Sequence, residues 1–143
     1  MSRINVIKAI PTTYKGITFR SRVEARWARF FDEIEIKWEY EREGFVLPCG
    51  PYLPDFWLPE LEMWAEVKGQ DFSEIETQRC AELAEATDQK VLMLSGPPAL
   101  QTYEYFYLDP ISREVFLADY EFSADAAAVG AALNERFEAD RNQ

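Results

Sequence analysis

Histidine is absent from this 143-residue sequence. Without it the chain has no Ser-His-Asp or Cys-His catalytic group, none of the usual zinc ligand sets and no histidine-based metal-nuclease site. Acid–base or metal chemistry therefore depends on carboxylates, lysine, tyrosine or water. This one absence excludes most classes of enzyme.

Cysteines and long apolar segments are also scarce. Cys49 and Cys80 form no CxxC pair, and two thiols do not make a disulfide framework, so we expect both to be reduced. No apolar run reaches the roughly 18 residues that a membrane-spanning helix needs. Residues 1–16 lack the apolar stretch and cleavage site of a signal peptide. We therefore expect a cytoplasmic protein with no membrane partner.

Positive charge is scarce and unevenly distributed. The chain has 15 Lys and Arg against 26 Asp and Glu, a net charge of −11, which by itself argues against phosphate binding. Residues 1–42, however, contain nine basic and six acidic residues, whereas residues 43–143 contain six and twenty. A basic N-terminal part followed by an acidic remainder is still compatible with a nucleic-acid partner.

Hydrophobic residues make up 48% of the chain and aromatic residues 15%, which predicts one folded domain over residues 1–143. We predict an α/β fold with a mixed central sheet flanked by helices. The apolar periodicity indicates, in chain order, a helix at 21–34, strands at 36–41, 52–58 and 63–68, a helix at 73–87, strands at 91–94, 103–108 and 114–119, and a closing helix at 124–139.

Two acidic residues and a lysine occupy the predicted hairpin of the second and third strands. Side chains alternate across a strand, so Glu66 and Lys68 share one face while their neighbours point into apolar surroundings. Asp55 lies on the preceding strand, where cross-strand pairing would bring its carboxylate near Glu66. The pattern predicts two converging carboxylates with a lysine beside them.

Converging carboxylates suit Mg²⁺, which takes oxygen ligands and uses few protein groups besides water and substrate phosphate. A metal there would polarise a phosphoryl oxygen and acidify a bound water; Mn²⁺ is the expected substitute. The carboxylates should raise the pKa of Lys68, so we expect it to orient the attacking water and offset charge in the transition state rather than to act as the base.

The first predicted helix offers a fourth candidate site residue, the acidic Glu24, and a row of arginines runs beside it. Glu24 lies at the edge of its apolar face, where it would hold a second metal or position a water. Ser21-x-x-Glu24 is equally a capping box, and both interpretations stay open. Arg20, Arg22, Arg26 and Arg29 are candidate phosphate-binding residues, with surface ion pairing, such as Arg29 with Glu33, as the alternative.

The segments FRSRVEARWARFFDEIEIKWEYE, YLPDFW and WAEVKG together resemble the PD-(D/E)XK nuclease superfamily, especially its small phage and prophage members. The resemblance covers residues 14 to about 95 and implies a restriction-endonuclease-like αβββαβ core, with extra strands and a helix after it. By motif it implies metal-dependent phosphodiester cleavage by Glu24, Asp55, Glu66 and Lys68. The metal ligands would be Asp55, Glu66, the backbone carbonyl of Val67 and, for a second metal, Glu24. Some members add a glutamine on the next helix, for which Gln78 is a weak candidate.

Three functions follow from these observations. The first is a Mg²⁺-dependent endonuclease acting on DNA, with branched or junction DNA as one substrate class and a homodimer as one means of cutting both strands. The second is an acidic binding protein that keeps the nuclease fold without catalysis, as an inhibitor or nucleic-acid mimic does. The third is an RNA nuclease, because metal chemistry at phosphorus does not distinguish DNA from RNA.

Overall fold

Two helices and a six-stranded sheet form the part of the chain that the computed structural model describes, residues 9–99 and 101–122. In chain order the elements are β1 (Thr12–Tyr14), β2 (Ile17–Phe19), α1 (Arg22–Glu33), β3 (Glu39–Tyr40), β4 (Phe45–Leu47), β5 (Gly50–Tyr52), β6 (Phe56–Leu58), β7 (Met63–Lys68), α2 (Glu74–Thr87), β8 (Lys90–Ser95), β9 (Tyr103–Leu108) and β10 (Val115–Tyr120). The helix predicted at 124–139 lies outside the described residues.

The central sheet has the strand order β10-β9-β8-β7-β6-β3. Neighbouring strands are antiparallel except β7 and β8, which are parallel because α2 connects them as a crossover. The predicted α/β class and mixed sheet with flanking helices are therefore confirmed. Two small hairpins, β1-β2 and β4-β5, lie outside the central sheet.

Strand β7 runs through the middle of the molecule and divides its core in two. Met63, Ala65 and Val67 point to one face, where they pack with α1. Trp64 points to the other face and packs with Leu83 of α2. This alternation is the one expected of a pleated strand, and it leaves Glu66 on the same face as Trp64.

The predicted strand at 52–58 was wrong, because the structure divides it into β5 and β6. Strand β5 pairs with β4 in a separate hairpin, whereas β6 pairs with β7. Between them lies Pro54, which has no N–H to donate, and the N–H of Asp55 donates to the Glu66 side chain rather than to a neighbouring strand. Two successive residues thus donate no backbone N–H to the ladder, and the chain changes sheets there.

The predicted strand at 36–41 is reduced to the two residues of β3. The N–H of Ile36 donates to the carbonyl of Phe31, 2.8 Å away, and so closes the end of α1 instead of joining the sheet. The Trp38 indole donates to Asp32 Oδ1 at 3.0 Å, which ties this segment to the helix as well. The alternating pattern reflects packing against α1 more than strand pairing.

The structure bears on the state of the cysteines and on the presence of membrane-spanning helices. Cys49 and Cys80 are both free, the first exposed and the second buried. Among the described residues, no helix combines the length and the apolar composition that crossing a membrane requires.

Candidate functional site

The Asp55 and Glu66 carboxylates each accept a hydrogen bond from a backbone N–H on the facing segment of chain. The Asp55 N–H donates to Glu66 Oε1 at 2.8 Å, and the Val67 N–H donates to Asp55 Oδ2 at 2.8 Å. The pairing of Phe56 with Ala65 explains this arrangement, since one more step along the register sets Asp55 opposite Glu66. In each carboxylate, one oxygen accepts a backbone hydrogen bond. That bond fixes the orientation of the group and therefore the direction in which its second oxygen points.

Burial dominates the electrostatics of this pair. Glu66 is 3% exposed, and burial raises the pKa of its carboxyl to about 7 against the opposing effects of the Lys68 ammonium and the Asp55 N–H. Burial, followed by the charges of Glu66 and Glu24, raises the pKa of Asp55 well above its ordinary range. Two carboxylates that repel each other in a desolvated site favour binding of a cation.

Lys68 ends β7 beside the carboxylate pair. Its Nζ lies 3.8 Å from Glu66 Oε2 and 3.4 Å from Glu76 Oε2. Burial lowers the pKa of Lys68, but the charges of Glu66, Asp55 and Glu76 outweigh it and raise the pKa overall. The lysine is therefore an ammonium held between Glu66 and Glu76.

The end of β7 is also fixed through Gly96. The Gly96 N–H donates to the Lys68 carbonyl at 2.7 Å, and the Gly96 carbonyl accepts from the Trp27 indole at 2.8 Å. Gly96 adopts a φ of 72°, a conformation that glycine takes without strain. The strand end that carries Lys68 is therefore linked to the core of α1.

Glu24 caps α1 and also lies beside the acidic pair. Its Oε2 accepts from the Ser21 N–H at 3.0 Å, and its own N–H donates to Ser21 Oγ at 3.2 Å, which completes a capping box. The same carboxylate is only 6% exposed, and it lies near enough to Asp55 to help raise the pKa of that carboxyl. Capping thus directs Glu24 toward the acidic pair rather than away from it.

A second capping box starts α2, at Ser73 and Glu76. Glu76 Oε1 accepts from the Ser73 N–H at 2.9 Å, while Oε2 faces Lys68. Gln78, the weak candidate on this helix, is exposed and donates to Glu82 Oε1 at 3.3 Å instead. The structure therefore brings Glu76 to the site, and leaves Gln78 outside it, because Gln78 lies two residues further around the helix.

Two tyrosines complete the polar surroundings, and sequence reasoning missed both. The Tyr40 hydroxyl donates to Glu24 Oε2 at 3.2 Å and accepts from the Arg20 N–H at 3.1 Å. The Tyr52 hydroxyl lowers the pKa of Glu66 through a hydrogen bond, while burial and the Glu66 charge raise the pKa of Tyr52 itself. In the sequence both look like ordinary strand aromatics. The position of Tyr52 three residues before Asp55 was an available signal, and no comparable signal marked Tyr40.

The four candidate arginines fall into two groups. Arg20 Nε pairs with Glu41 Oε1 at 2.6 Å. Arg22, Arg26 and Arg29 share a face of α1 and line one cavity with residues 10–14. The structure thus separates Arg20 from the other three.

The oxygen atoms of Asp55 and Glu66 are the donors that a metal would meet at this site. Within residues 9–99 and 101–122, no three acidic or cysteine side chains are grouped as a ready-made metal site. Asp55 and Glu66 offer oxygen donors alone, which fits a hard cation that completes its shell with water and substrate oxygens. The residues present therefore fit Mg²⁺ better than a metal that needs nitrogen or sulfur ligands.

Comparisons of the chain with known protein families, with curated proteins and with solved structures find no match. Functional inference accordingly starts from the geometry of this site.

Proposed function

We propose that this protein is a metal-dependent nuclease that hydrolyses phosphodiester bonds in DNA. The observation that carries the proposal is the buried pair of Asp55 and Glu66, each held by a backbone N–H of the opposite strand, with the Lys68 ammonium 3.8 Å from Glu66. Burying two carboxylates this close costs free energy. A cation that binds between them offsets that cost, which gives the arrangement a functional explanation.

Membership of the PD-(D/E)XK superfamily is part of the proposal. The order of elements supports it: α1, three antiparallel strands β3, β6 and β7, then α2 and the parallel strand β8. The position of the acidic residues supports it as well, since Asp55 precedes one central strand and Glu66 lies on the next. Fold likeness alone does not fix an activity, so the proposal depends on the site.

In this proposal Asp55, Glu66 and the Val67 carbonyl oxygen would hold Mg²⁺, with Glu24 available for a second ion. When bound, the metal would supply Lewis-acid activation of the phosphate and of a water. The remaining work belongs to the protein. Lys68 stays charged because Glu66 and Glu76 face it, and its ammonium orients the attacking water and offsets negative charge on the phosphoryl oxygens.

Glu24 and Tyr40 have a positioning role in this proposal. Glu24 lies near enough to Asp55 to raise the pKa of its carboxyl, and it is itself fixed by Ser21 and Tyr40. A carboxylate held from two sides keeps its direction when substrate arrives, and preorganised groups of this kind account for much of enzymatic rate enhancement. Glu24 is thus suited to hold a water next to the reacting phosphate.

The substrate class is proposed as DNA, with branched or junction DNA among the forms to be compared and RNA as the alternative. Metal chemistry at phosphorus serves both, and contacts to the 2′-hydroxyl distinguish them. The net charge of −11 favours a second candidate, an acidic binding protein that engages a basic partner without cleavage.

The test compares purified protein with three site variants on supercoiled, linear, single-stranded and four-way-junction DNA and on RNA, in Mg²⁺, Mn²⁺ or EDTA. The variants are Asp55→Asn, Glu66→Gln and Lys68→Met. Glu104→Gln and Lys90→Met are matched controls, because both residues are exposed strand positions that lose the same charges.

Metal-dependent cleavage that is lost in the three site variants and kept in the two controls is the expected result. Cleavage that survives Asp55→Asn and Glu66→Gln would overturn the proposed site. An intact protein that cuts none of these substrates, yet captures a basic partner, would replace the nuclease with the acidic binding protein.

A further inference from the structure

The β4–β5 hairpin lies outside the central sheet but packs on the face of β7 that carries Glu66. Its Phe45 ring meets the Trp64 ring edge-on, with 5.3 Å between the ring centroids. Trp64 and Glu66 are two residues apart on β7 and so share a face of the sheet. At the hairpin turn, the Cys49 N–H donates to Glu82 Oε2 of α2 at 3.1 Å. The hairpin is therefore held against the strand that carries Glu66 and against the helix that follows it.

Tyr52 is the last residue of β5 and packs against the same core cluster as Trp64. Its hydroxyl oxygen lies 4.0 Å from Cys80 Sγ on α2. Burial raises the pKa of Glu66, and the Tyr52 hydroxyl is one of the groups that oppose this effect. Burial, followed by the Glu66 charge, raises the pKa of Tyr52 in turn. The hydroxyl, the thiol and the carboxylate thus form one cluster beneath the hairpin.

The Tyr52 hydroxyl has one proton and two neighbours able to accept it. A carboxylate oxygen is a far stronger acceptor than a thiol sulfur, so Glu66 is the favoured acceptor. The Tyr52 oxygen is then available to the weak S–H donor of Cys80. Burial keeps both donors protonated, because it raises the pKa of the Tyr52 hydroxyl and that of the Cys80 thiol. The order of donation is therefore from thiol to hydroxyl to carboxylate.

The Glu66 carboxylate has room for this donor. A carboxylate has about four acceptor positions on its two oxygens. The Asp55 N–H fills one of them, whereas Lys68 Nζ, 3.8 Å from Oε2, lies beyond hydrogen-bonding distance. Carboxylates that bind metals are themselves held by hydrogen bonds from the groups around them. A hydroxyl donor fills a second position and leaves the remaining ones to a cation.

We propose that Tyr52 is a positioning residue of the metal site: its hydroxyl donates to Glu66 and holds that carboxylate in the orientation that a cation meets. The inference rests on the proposed function in taking Glu66 as a metal ligand. It makes the β4–β5 hairpin part of the site, although the hairpin contributes no strand to the central sheet. In this role Tyr52 touches neither the metal nor the substrate.

Metal affinity is measured without nucleic acid, from the electron paramagnetic resonance signal of free Mn²⁺. Tyr52→Phe removes the hydroxyl and keeps the ring. Tyr105→Phe is the matched control, because Tyr105 is also partly buried but packs against the core on the α1 face of the sheet. Tyr52→Phe should weaken Mn²⁺ binding about 10-fold, the effect of removing a hydrogen bond to a metal ligand. Tyr105→Phe should leave it unchanged, and circular dichroism confirms that both variants fold.

The dependence of cleavage on Mg²⁺ separates positioning from a general structural role. In Tyr52→Phe the Mg²⁺ concentration for half-maximal cleavage should rise about 10-fold. At saturating Mg²⁺ kcat should fall by less than about 3-fold, because the bound metal then holds Glu66 itself. An equal loss of kcat at every Mg²⁺ concentration would overturn the positioning role.

A third measurement needs neither metal nor cleavage. ¹³C NMR in EDTA, on protein labelled at the tyrosine Cζ, follows the phenol groups, and the signal missing from Tyr52→Phe identifies Tyr52. That signal should shift in Glu66→Gln, because glutamine offers a neutral acceptor in place of a charged one. It should stay in place in Glu104→Gln, which changes an exposed acid on β9.

The outcomes distinguish this inference from the proposed function. A shifted Tyr52 signal and weaker Mn²⁺ binding by Tyr52→Phe, in a protein that cuts no nucleic acid, would reject the nuclease and keep the positioning role. Cleavage by a protein whose Tyr52 signal does not respond to Glu66→Gln, or whose Tyr52→Phe variant binds Mn²⁺ as the parent does, would keep the nuclease and reject the role. A parent protein that binds no Mn²⁺ would overturn both.

Discussion

Helices α1 and α2 begin with the same capping motif, but the capping glutamates face groups of opposite charge. Both start with Ser-x-x-Glu, and in both the serine and the glutamate exchange hydrogen bonds in a capping box. Glu24 is buried and reaches a second carboxyl, Asp55. Glu76 keeps 30% of its side chain exposed and reaches an ammonium, Lys68. The same capping motif thus places the Glu24 carboxylate beside an acidic residue and the Glu76 carboxylate beside a basic one.

The difference arises from the strand residue opposite each helix start. Capping requires only one oxygen of the glutamate, so the second oxygen is available to whatever the sheet presents. At α1 the sheet presents the residue just before β6, and at α2 it presents the end of β7. The local sequence therefore determines the orientation of each glutamate side chain. The tertiary structure determines which charged group that side chain meets.

The largest expected effect distinguishes the two glutamates in catalysis. Glutamine also completes a capping box, so Glu24→Gln and Glu76→Gln both keep their helix starts. We expect Glu24→Gln to lower kcat about 100- to 1,000-fold, the cost of removing a preorganised charged group. Glu76→Gln should lower it about 3- to 10-fold, because Glu66 still faces Lys68.

The measurement is kcat under saturating substrate and Mg²⁺, with Glu74→Gln as control, since Glu74 is an exposed acid on the same first turn of α2. Equal losses in Glu24→Gln and Glu76→Gln would remove the distinction between the two helix starts.

The next effect is on stability and pH in metal-free protein. Glu66 has a pKa raised from 4.5 to about 7, chiefly by burial, so the folded state binds more protons than the unfolded state between these values and the free energy of unfolding falls as pH rises through them. Glu66→Gln keeps an acceptor for the Asp55 N–H and removes the buried charge. At about pH 8 its free energy of unfolding should exceed that of the parent by roughly 2 to 3 kcal/mol.

Glu76 should show the opposite sign. Burial raises its pKa, but the Ser73 N–H and the Lys68 ammonium outweigh burial and lower it. Its stabilisation is present above the unfolded pKa of 4.5 and is lost as pH falls through the folded pKa. Glu76→Gln should therefore be less stable than the parent at neutral pH. Urea unfolding in EDTA from acid to alkaline pH measures both variants; parallel pH profiles would contradict the comparison.

The smallest effect concerns the serines. Ser21→Ala and Ser73→Ala should each lower the free energy of unfolding by about 1 kcal/mol, the usual cost of losing an N-cap. Only Ser21→Ala should also lower kcat, by about 3- to 10-fold, because Glu24 loses part of its fixation in the site. Denaturant unfolding and the cleavage assay together decide this. A Ser73→Ala variant with the larger catalytic loss would show that α2, not α1, positions the reacting groups.

Periodicity alone predicted the elements that pack on one apolar face. The helix at 73–87 and the strand at 103–108 match α2 and β9 closely because their patterns are set locally. The strand at 52–58 did not match, because Pro54 and the side-chain bond from Asp55 to Glu66 interrupt it. A side chain on β7 that accepts the backbone N–H of the residue before β6 cannot be recognised from a periodic pattern.

In the candidate site, too, contacts between paired strands were predictable from the sequence, whereas contacts that depend on the wider fold were not. The proximity of Asp55 and Glu66 followed from strand pairing, and the structure brings them together. Glu76 was not predicted to reach the site, since its contact with Lys68 depends on the crossover from β7 through α2. Tyr40 and Tyr52 were missed because a tyrosine packed in a sheet and one bonded to a buried carboxylate have the same sequence signature.

Gly96 has a dynamic consequence. Its amide holds the end of β7, and its carbonyl holds Trp27, which is fully buried. The loop after β8 therefore cannot swing away from Lys68 without releasing an indole from the core, a change that resembles partial unfolding more than loop motion. We therefore expect the segment that carries Lys68 to move only in slow, large-scale opening of the protein. Any part of the protein that adjusts to an incoming nucleic-acid strand must lie elsewhere.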